Sequence, residues 1–212
     1  MNANELFRRH IFGAPVRLFS PTQVEGLENI PNGPCVFAIG PHKSYLDSVI
    51  VPSWLQDYEL HFLAKGTLWN IPVVGQFLSA TGQIPVDRSS VRAADAIIPA
   101  VEDLNRGFRI MVFPEGTRYL SDTAVHKGKT GAARIATRAG VPLVPVGLIG
   151  FQRSSRHIKR KIVIGAPIEP SLLLTAAETL LEKAQQETIL MRRMTTRVMN
   201  DIAELSVQRY VP

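Results

Sequence analysis

The chain has 212 residues, 45% of them hydrophobic and 20% charged, enough for one domain with a sizeable core. Its single cysteine, Cys35, excludes a disulfide framework or a multi-cysteine zinc site and suits a reducing compartment. The formal charge of +6 favours anionic partners such as phosphorylated ligands or acidic lipid surfaces. No aromatic-rich motif or zinc knuckle accompanies that charge, so nucleic acid is not expected as a partner.

Residues 2–20 mix Leu6, Phe7, Ile11, Phe12, Val16, Leu18 and Phe19 with Arg8, Arg9, His10 and Arg17. Positions 7, 11 and 12 share one helical face, and the segment bends or ends near Gly13 to Pro15. It reads either as a short helix lying in a bilayer interface or as a helix packed on its own domain. No apolar stretch approaches the roughly 18–20 residues of a membrane span, and no secretory signal is expected. Glu25 to Pro34 is turn-rich, and the apolar run Cys35 to Ile39 leads from it as the first core strand. A helical pattern covers Leu46 to Leu55. Strands are then expected at Leu60–Leu63, Gln83–Val86, Arg109–Phe113, Leu143–Leu148 and Ile162–Ile164. Helices are expected at Trp69–Leu78, opened by Pro72, from the Ser89 cap to Asn105 with Gly107 as stop, and at Lys129–Ala139 with Gly140 as stop. A long helical pattern fills Leu172 to Val207. The alternation predicts a single α/β domain with a mixed, mostly parallel central sheet flanked by helices. The expected organisation is an amphipathic segment over residues 1–20 and one domain over 21–212.

Three strand ends carry charged residues, and in open α/β sheets sites lie at the carboxyl ends of strands. The first holds His42 and Asp47. A carboxylate bonded to one imidazole nitrogen fixes the tautomer and frees the other to take a proton. Residues five apart on a helix diverge by about 140°, so contact between the two requires a turn, and Gly40-Pro41 supplies a bend. No Gly-x-Ser-x-Gly nucleophile is present. Taken alone, the pair also reads as a loop histidine beside a first-turn helix residue. The second end runs from Lys65-Gly66-Thr67-Leu68 to Asp87-Arg88. Arg88 beside the Ser89 helix start suits a phosphate, or a strand-end salt bridge. The third is Phe113-Pro114-Glu115-Gly116-Thr117-Arg118. Here Glu115 can accept hydroxyl hydrogen bonds, Gly116 permits unusual backbone, and Arg118 can clamp phosphate. Gly128-Lys129-Thr130 is not a P-loop, because Thr123 stands where that pattern needs glycine. Val141 to Val146 reads as core.

These blocks, in this order over about Val24 to Pro167, resemble the 1-acylglycerol-3-phosphate acyltransferase family of glycerolipid acyltransferases. Its His-x4-Asp motif looks like His42 to Asp47, its second motif like Lys65 through Arg88, its third like Phe113 to Arg118 and its fourth like Val141 to Val146. The chain departs from the pattern at Pro41, where asparagine is common, at Thr67 in place of glutamate, and at Tyr119 in place of serine. The resemblance implies acyl transfer from acyl-CoA or acyl carrier protein to the hydroxyl of lysophosphatidic acid or a related lysolipid, giving phosphatidic acid in the first case. It implies His42 and Asp47 as catalytic, and Lys65, Arg88, Glu115, Gly116, Thr117 and Arg118 as substrate-binding. It also implies no metal, no cofactor beyond the acyl donor, and a membrane surface as partner. The expected location is cytoplasmic, peripheral on the inner face of the membrane. Another lysophospholipid or glycolipid acceptor, or a non-catalytic lipid-binding protein, are the alternatives. The basic run from Arg153 to Lys161 and the N-terminal segment are the expected docking elements.

Overall fold

In this computed structural model, which describes residues 13–55, 59–86, 96–119, 124–152 and 159–211, the elements follow the expected alternation. The chain runs α1 (Ala14–Phe19), β1 (Thr22–Glu25), β2 (Val36–Gly40), α2 (Asp47–Trp54), β3 (Leu60–Lys65), α3 (Val74–Ala80) and β4 (Ile84–Val86). It continues through α4 (Ile97–Asn105), β5 (Arg109–Val112), β6 (Ala124–His126), α5 (Gly131–Ala139), β7 (Leu143–Ile149), β8 (Arg160–Ile164), α6 (Lys183–Leu205) and β9 (Arg209–Val211).

Seven strands form one sheet in the order β1-β8-β7-β2-β5-β3-β4, and β6 pairs with β9 apart from it. Neighbours in the large sheet are parallel except β7 and β8. Every residue of β2 is buried, as a strand covered on both faces requires. Its side chains alternate between two cores. Val36 and Ala38 pack with residues of α4, α5 and α6, such as Leu104, Ala136 and Met194. Phe37 and Ile39 pack on the other face with Ile50 and Val51 of α2 and with Leu55 just past its end. β7 is buried from Leu143 to Leu148, which fits the core reading of Val141 to Val146.

The topology collects chemistry at one edge. β2, β5, β3 and β4 all end there. So does β7, which runs parallel to β2 with Gly147 opposite Gly40. Because β8 is antiparallel to β7, its first residues, and those of β1 beside it, stand at that same edge: Ile149 faces Lys161, and Thr22 faces Arg160. Helix α1 therefore lies on the side of the sheet that carries His42. It is tied to α2 by Arg17 Nη1 donating to the Ser53 carbonyl and Trp54 Nε1 donating to that of Ser20, at 2.9 and 3.2 Å.

Three elements differ from the sequence expectation. The Gly13–Pro15 break is where α1 begins, with Pro15 in its first turn, a position that tolerates a missing N–H. The expected Trp69–Leu78 helix is instead a 3-10 turn at Gly66–Asn70 and then α3. Val73 at φ +66° interrupts the helical path, and Gly75 packs so closely that an added Cβ would lie 2.4 Å from the Trp69 carbonyl oxygen. The long C-terminal pattern is also interrupted. Thr175 and Glu178 bond each other, Arg193 on α6 clamps Glu178, and only from Lys183 does one continuous helix run. Strands β1, β6 and β9 have no counterpart among the expected elements. The expected Ser89 cap, Arg88, the segment 1–12 and residues 153–158 of the basic run lie outside the described residues.

Candidate active site

The chain leaves β2 at Gly40, crosses the edge without helical structure, and enters α2 at Asp47. That turn brings His42 Nδ1 to 3.0 Å from Asp47 Oδ2. The backbone N–H groups of Lys43 and Ser44 donate to the same oxygen at 2.8 and 2.7 Å. An oxygen already accepting two N–H groups acts as acceptor toward the ring as well. The proton therefore sits on Nδ1, and the Nε2 lone pair is left for chemistry. Asp47 is fully buried, and its Oδ1 has no partner among the described residues. One face of the imidazole stacks on Phe113, the last residue before the Pro114–Glu115 turn, with centroids 3.9 Å apart. Ring orientation is thus set by a carboxylate at its edge and an aromatic ring on its face.

The third block meets the first directly. Glu115 is 2% exposed. Its Oε2 accepts the His42 N–H at 2.7 Å, and its Oε1 accepts the His126 N–H at 3.0 Å. Its carboxylate bridges the His42 loop and β6, so its first task is to hold that loop. Tyr119 donates its N–H to the His42 carbonyl at 3.2 Å, and its ring stacks on His126 at 3.6 Å. Lys43, itself buried, donates from Nζ to the Ala124 carbonyl on β6. Strand β9 then pairs with β6, and Ile202 on α6 lies against Gly40, where an added Cβ would come within 3.0 Å of it. The C-terminal elements therefore brace the loop.

Arg118 lies over the ring of Tyr45, 3.2 Å from its centroid, within the His-x4-Asp loop. The described residues offer no acceptor to its guanidinium, so its N–H fork is available to an anion. Gly116 has φ +68°, a conformation that favours glycine, and Thr117 is exposed at the turn. The fold thus brings His42, Asp47, Glu115, Gly116 and Arg118 into one contact network, with Thr117 on it in the chain. Lys65 ends β3, on the far side of β5 from β2, exposed and outside that network. Arg88, two residues past the end of β4, falls outside the described residues. Sequence reasoning passed over Phe113 as a ring platform, Tyr45 as the seat of Arg118, and Lys43, His126 and Tyr119 as braces. Of these, Tyr45 had a local signal, an aromatic residue three positions from the candidate base. Among the described residues no group of three or more His, Cys, Asp or Glu is placed to hold a metal ion.

A family model described as Acyltransferase matches residues 21–149. The chain belongs to the Acyltransferase family. The match spans β1 through β7, and so contains every motif of the site, while the bracing elements α6 and β9 lie beyond it. A chloroplastic 1-acyl-sn-glycerol-3-phosphate acyltransferase of Brassica napus, BAT2, is 37% identical over 135 residues, covering 62% of this chain and 38% of that protein. A second chloroplastic relative, LPAT1 of Arabidopsis thaliana, is 33% identical and matched over 45% of its length. The chain therefore spans less than half the length of those two plant relatives. The Bacillus subtilis 1-acyl-sn-glycerol-3-phosphate acyltransferase is 28% identical, with 69% of this chain and 73% of that protein covered. The crystal structure of the 1-acyl-sn-glycerophosphate acyltransferase PlsC from Thermotoga maritima superimposes with a TM-score of 0.63 at 26% identity, covering 90% of this chain and 76% of that one.

Proposed function

We propose that this protein moves an acyl chain from a thioester, acyl-CoA or acyl carrier protein, to the free hydroxyl of 1-acylglycerol 3-phosphate, giving phosphatidic acid. The observation that carries this reading is the His42–Asp47 contact, with Nδ1 committed to the carboxylate, Nε2 without a partner among the described residues, and the Arg118 guanidinium lying over Tyr45 of the same loop. The activities for which the plant and bacterial relatives are named agree with it.

In this reading His42 Nε2 takes the proton of the acceptor hydroxyl as its oxygen attacks the thioester carbonyl. Asp47 holds the ring and stabilises the imidazolium. The carbon–sulfur bond then breaks, and the thiolate leaves with the proton returned by the imidazolium. A thiolate leaves more readily than an alkoxide, so the route needs no covalent enzyme intermediate. Positioned base catalysis of this kind contributes roughly 10²–10⁴-fold. Arg118, with Arg88 and Lys65 as further cations, holds the acceptor's phosphate. Gly116 and Thr117 shape the turn on which the glycerol unit rests. Glu115 serves by keeping the His42 loop in place. No cofactor beyond the acyl donor takes part.

The lipid reaches the site at the sheet edge. Leu18, Phe19, Tyr45, Leu46, Ile71 and Val73 are all exposed there, and Phe19 and Val73 are 83% and 75% accessible. No helix among the described residues is long and apolar enough to cross a membrane. Peripheral docking on the inner face of an anionic bilayer, through these residues together with the basic run ending at Lys161, fits that edge. Incubating purified protein with acyl-CoA and a panel of lysolipids, with product masses read out, tests the reaction. Phosphatidic acid as the main product supports it, and acylation of a phosphate-free lysolipid in preference would overturn the acceptor.

A further inference from the structure

The Gly128-Lys129-Thr130 block fails as a P-loop, yet the fold brings it to the site. Gly128 is pinned against α6: an added Cβ would lie 2.6 Å from both Cγ and Sδ of Met199 and 3.4 Å from Thr195 Cγ2. Met199 is fully buried, so that backbone position is fixed by the core. On the other side, Lys129 donates its backbone N–H to the Pro114 carbonyl at 2.8 Å. Between these anchors the Lys129 side chain lies across Gly116. A Cβ added there would sit 2.9 Å from Lys129 Cδ and Cε and 3.1 Å from Nζ. Gly116 thus opens the space that the lysine stem fills, and the φ of +68° and the missing side chain serve the same contact.

The charge at this spot has no internal use among the described residues. Lys129 is exposed, and no acceptor among the described residues meets its Nζ. Glu115, next to Gly116 in the chain, is buried and spends both oxygens on backbone N–H groups. Two residues along the same turn, Arg118 holds its guanidinium over Tyr45 with its fork open. A rigid guanidinium and a compact ammonium thus flank one turn, which suits a phosphomonoester carrying close to two negative charges better than a phosphodiester or an uncharged headgroup.

We propose that Lys129 is a phosphate-binding residue of this site and, with Arg118, sets its preference for an acceptor bearing a phosphomonoester. The identity of that acceptor rests on the acyl-transfer reading above; the binding of phosphate by Lys129 does not. Lys129→Met keeps the stem over Gly116 and removes the charge, and Lys129→Arg restores it. For the full chain, Lys129→Met lowers kcat/KM for lysophosphatidate relative to a monoacylglycerol by about 10- to 100-fold, mostly through KM, as loss of a charged hydrogen bond requires. Lys129→Arg recovers most of the ratio. In a separate measurement without acyl donor, sn-glycerol 3-phosphate raises the melting temperature of the parent and not of Lys129→Met. An unchanged lysophosphatidate KM together with an unchanged glycerol 3-phosphate shift in Lys129→Met would overturn the proposal. So would a parent whose melting temperature does not respond to glycerol 3-phosphate. If the parent acylates no lysophosphatidate yet shows the Lys129-dependent shift, the acceptor reading falls and the phosphate site stands.

Discussion

His42–Asp47 and His61–Asp103 are made of the same parts. In each, Nδ1 meets Oδ2, at 3.0 and 2.8 Å. In each the imidazole stacks on a phenylalanine, Phe113 at 3.9 Å and Phe108 at 4.3 Å. Exposure does not separate them either, at 8% for His42 and 9% for His61. What differs is the end of the sheet and what stands on the far side of the ring. His42 follows the carboxyl end of β2, with Nε2 unpartnered among the described residues. His61 is the second residue of β3, at the opposite edge, and Gly82 backs onto its ring so tightly that a Cβ there would lie 2.7 Å from Cε1 and Nε2. Asp103, which also meets Arg106 at 3.4 Å, ties α4 to the sheet across 42 positions of chain. A histidine–carboxylate contact is thus a positioning device, and it becomes a base only where the second nitrogen faces a place a substrate can reach.

Removing each pair in turn is the strongest way to break this comparison. His42→Ala should lower turnover by roughly 10²–10⁴-fold with the fold intact, the range of a positioned base. Asp47→Asn should come close to it, because an amide can present the wrong tautomer to the ring. Steady-state kinetics on protein of unchanged circular dichroism checks both. A folded His42→Ala protein with near-parent turnover would remove the distinction between the pairs.

The second pair should respond in stability instead. Gly82→Ala sets a methyl group against the His61 ring at φ +71°. A left-handed alanine costs about 1–2 kcal/mol and overpacking about 1–3 more. Asp103→Asn weakens a buried hydrogen bond to a charged group, about 1–3 kcal/mol. For a chain of this size each kcal/mol lowers the melting temperature by about 2–4 °C. Thermal denaturation measures this, and kcat at a temperature well below the transition should stay within about twofold of the parent. A large fall in kcat for Asp103→Asn would mean that His61 has a chemical role the geometry does not give it.

The two pairs also mark what the amino-acid order reveals. His42 and Asp47 are five apart, and a carboxylate five residues past a histidine at a strand-to-helix junction is a local signal. Pro-Glu-Gly-Thr-Arg is long enough to stand out unaided, and the helix stops at Gly107 and Gly140 fall where glycine adopts positive φ. His61 and Asp103 carry no such signal, since only the packing of α4 on β3 brings them together. The same holds for Glu115. Its residue type suggested a hydroxyl acceptor, but its partners are the backbones of His42 and His126, which no spacing rule relates. Strands β6 and β9 are three residues each, and they pair although one lies mid-chain and the other near the C-terminus. Too short for periodicity, they became visible only through that pairing. Lys129 stayed hidden for a related reason, because its place above Gly116 depends on Met199, seventy positions on.

The smallest effects sharpen the comparison most, because they change the ring platforms and leave both pairs in place. Phe113→Leu and Phe108→Leu each exchange an aromatic face for an aliphatic side chain of similar size. Stacked aromatic pairs contribute about 0.5–1.5 kcal/mol beyond the area they bury. At His61 that loss has nowhere to go except folding, so Phe108→Leu should lower the melting temperature by a few degrees and leave kcat unchanged. In the proposed reaction the platform at His42 holds the ring at the angle from which Nε2 meets the acceptor hydroxyl. Phe113→Leu should therefore lower kcat by about 3- to 10-fold while KM for the acceptor holds, because misalignment of the base is felt in the transition state and hardly in binding. Kinetics and thermal melts on the two variants, prepared side by side, decide it. Equal losses of stability with no change in kcat for either would show that Phe113 is packing alone, leaving Asp47 as the sole support of the His42 ring.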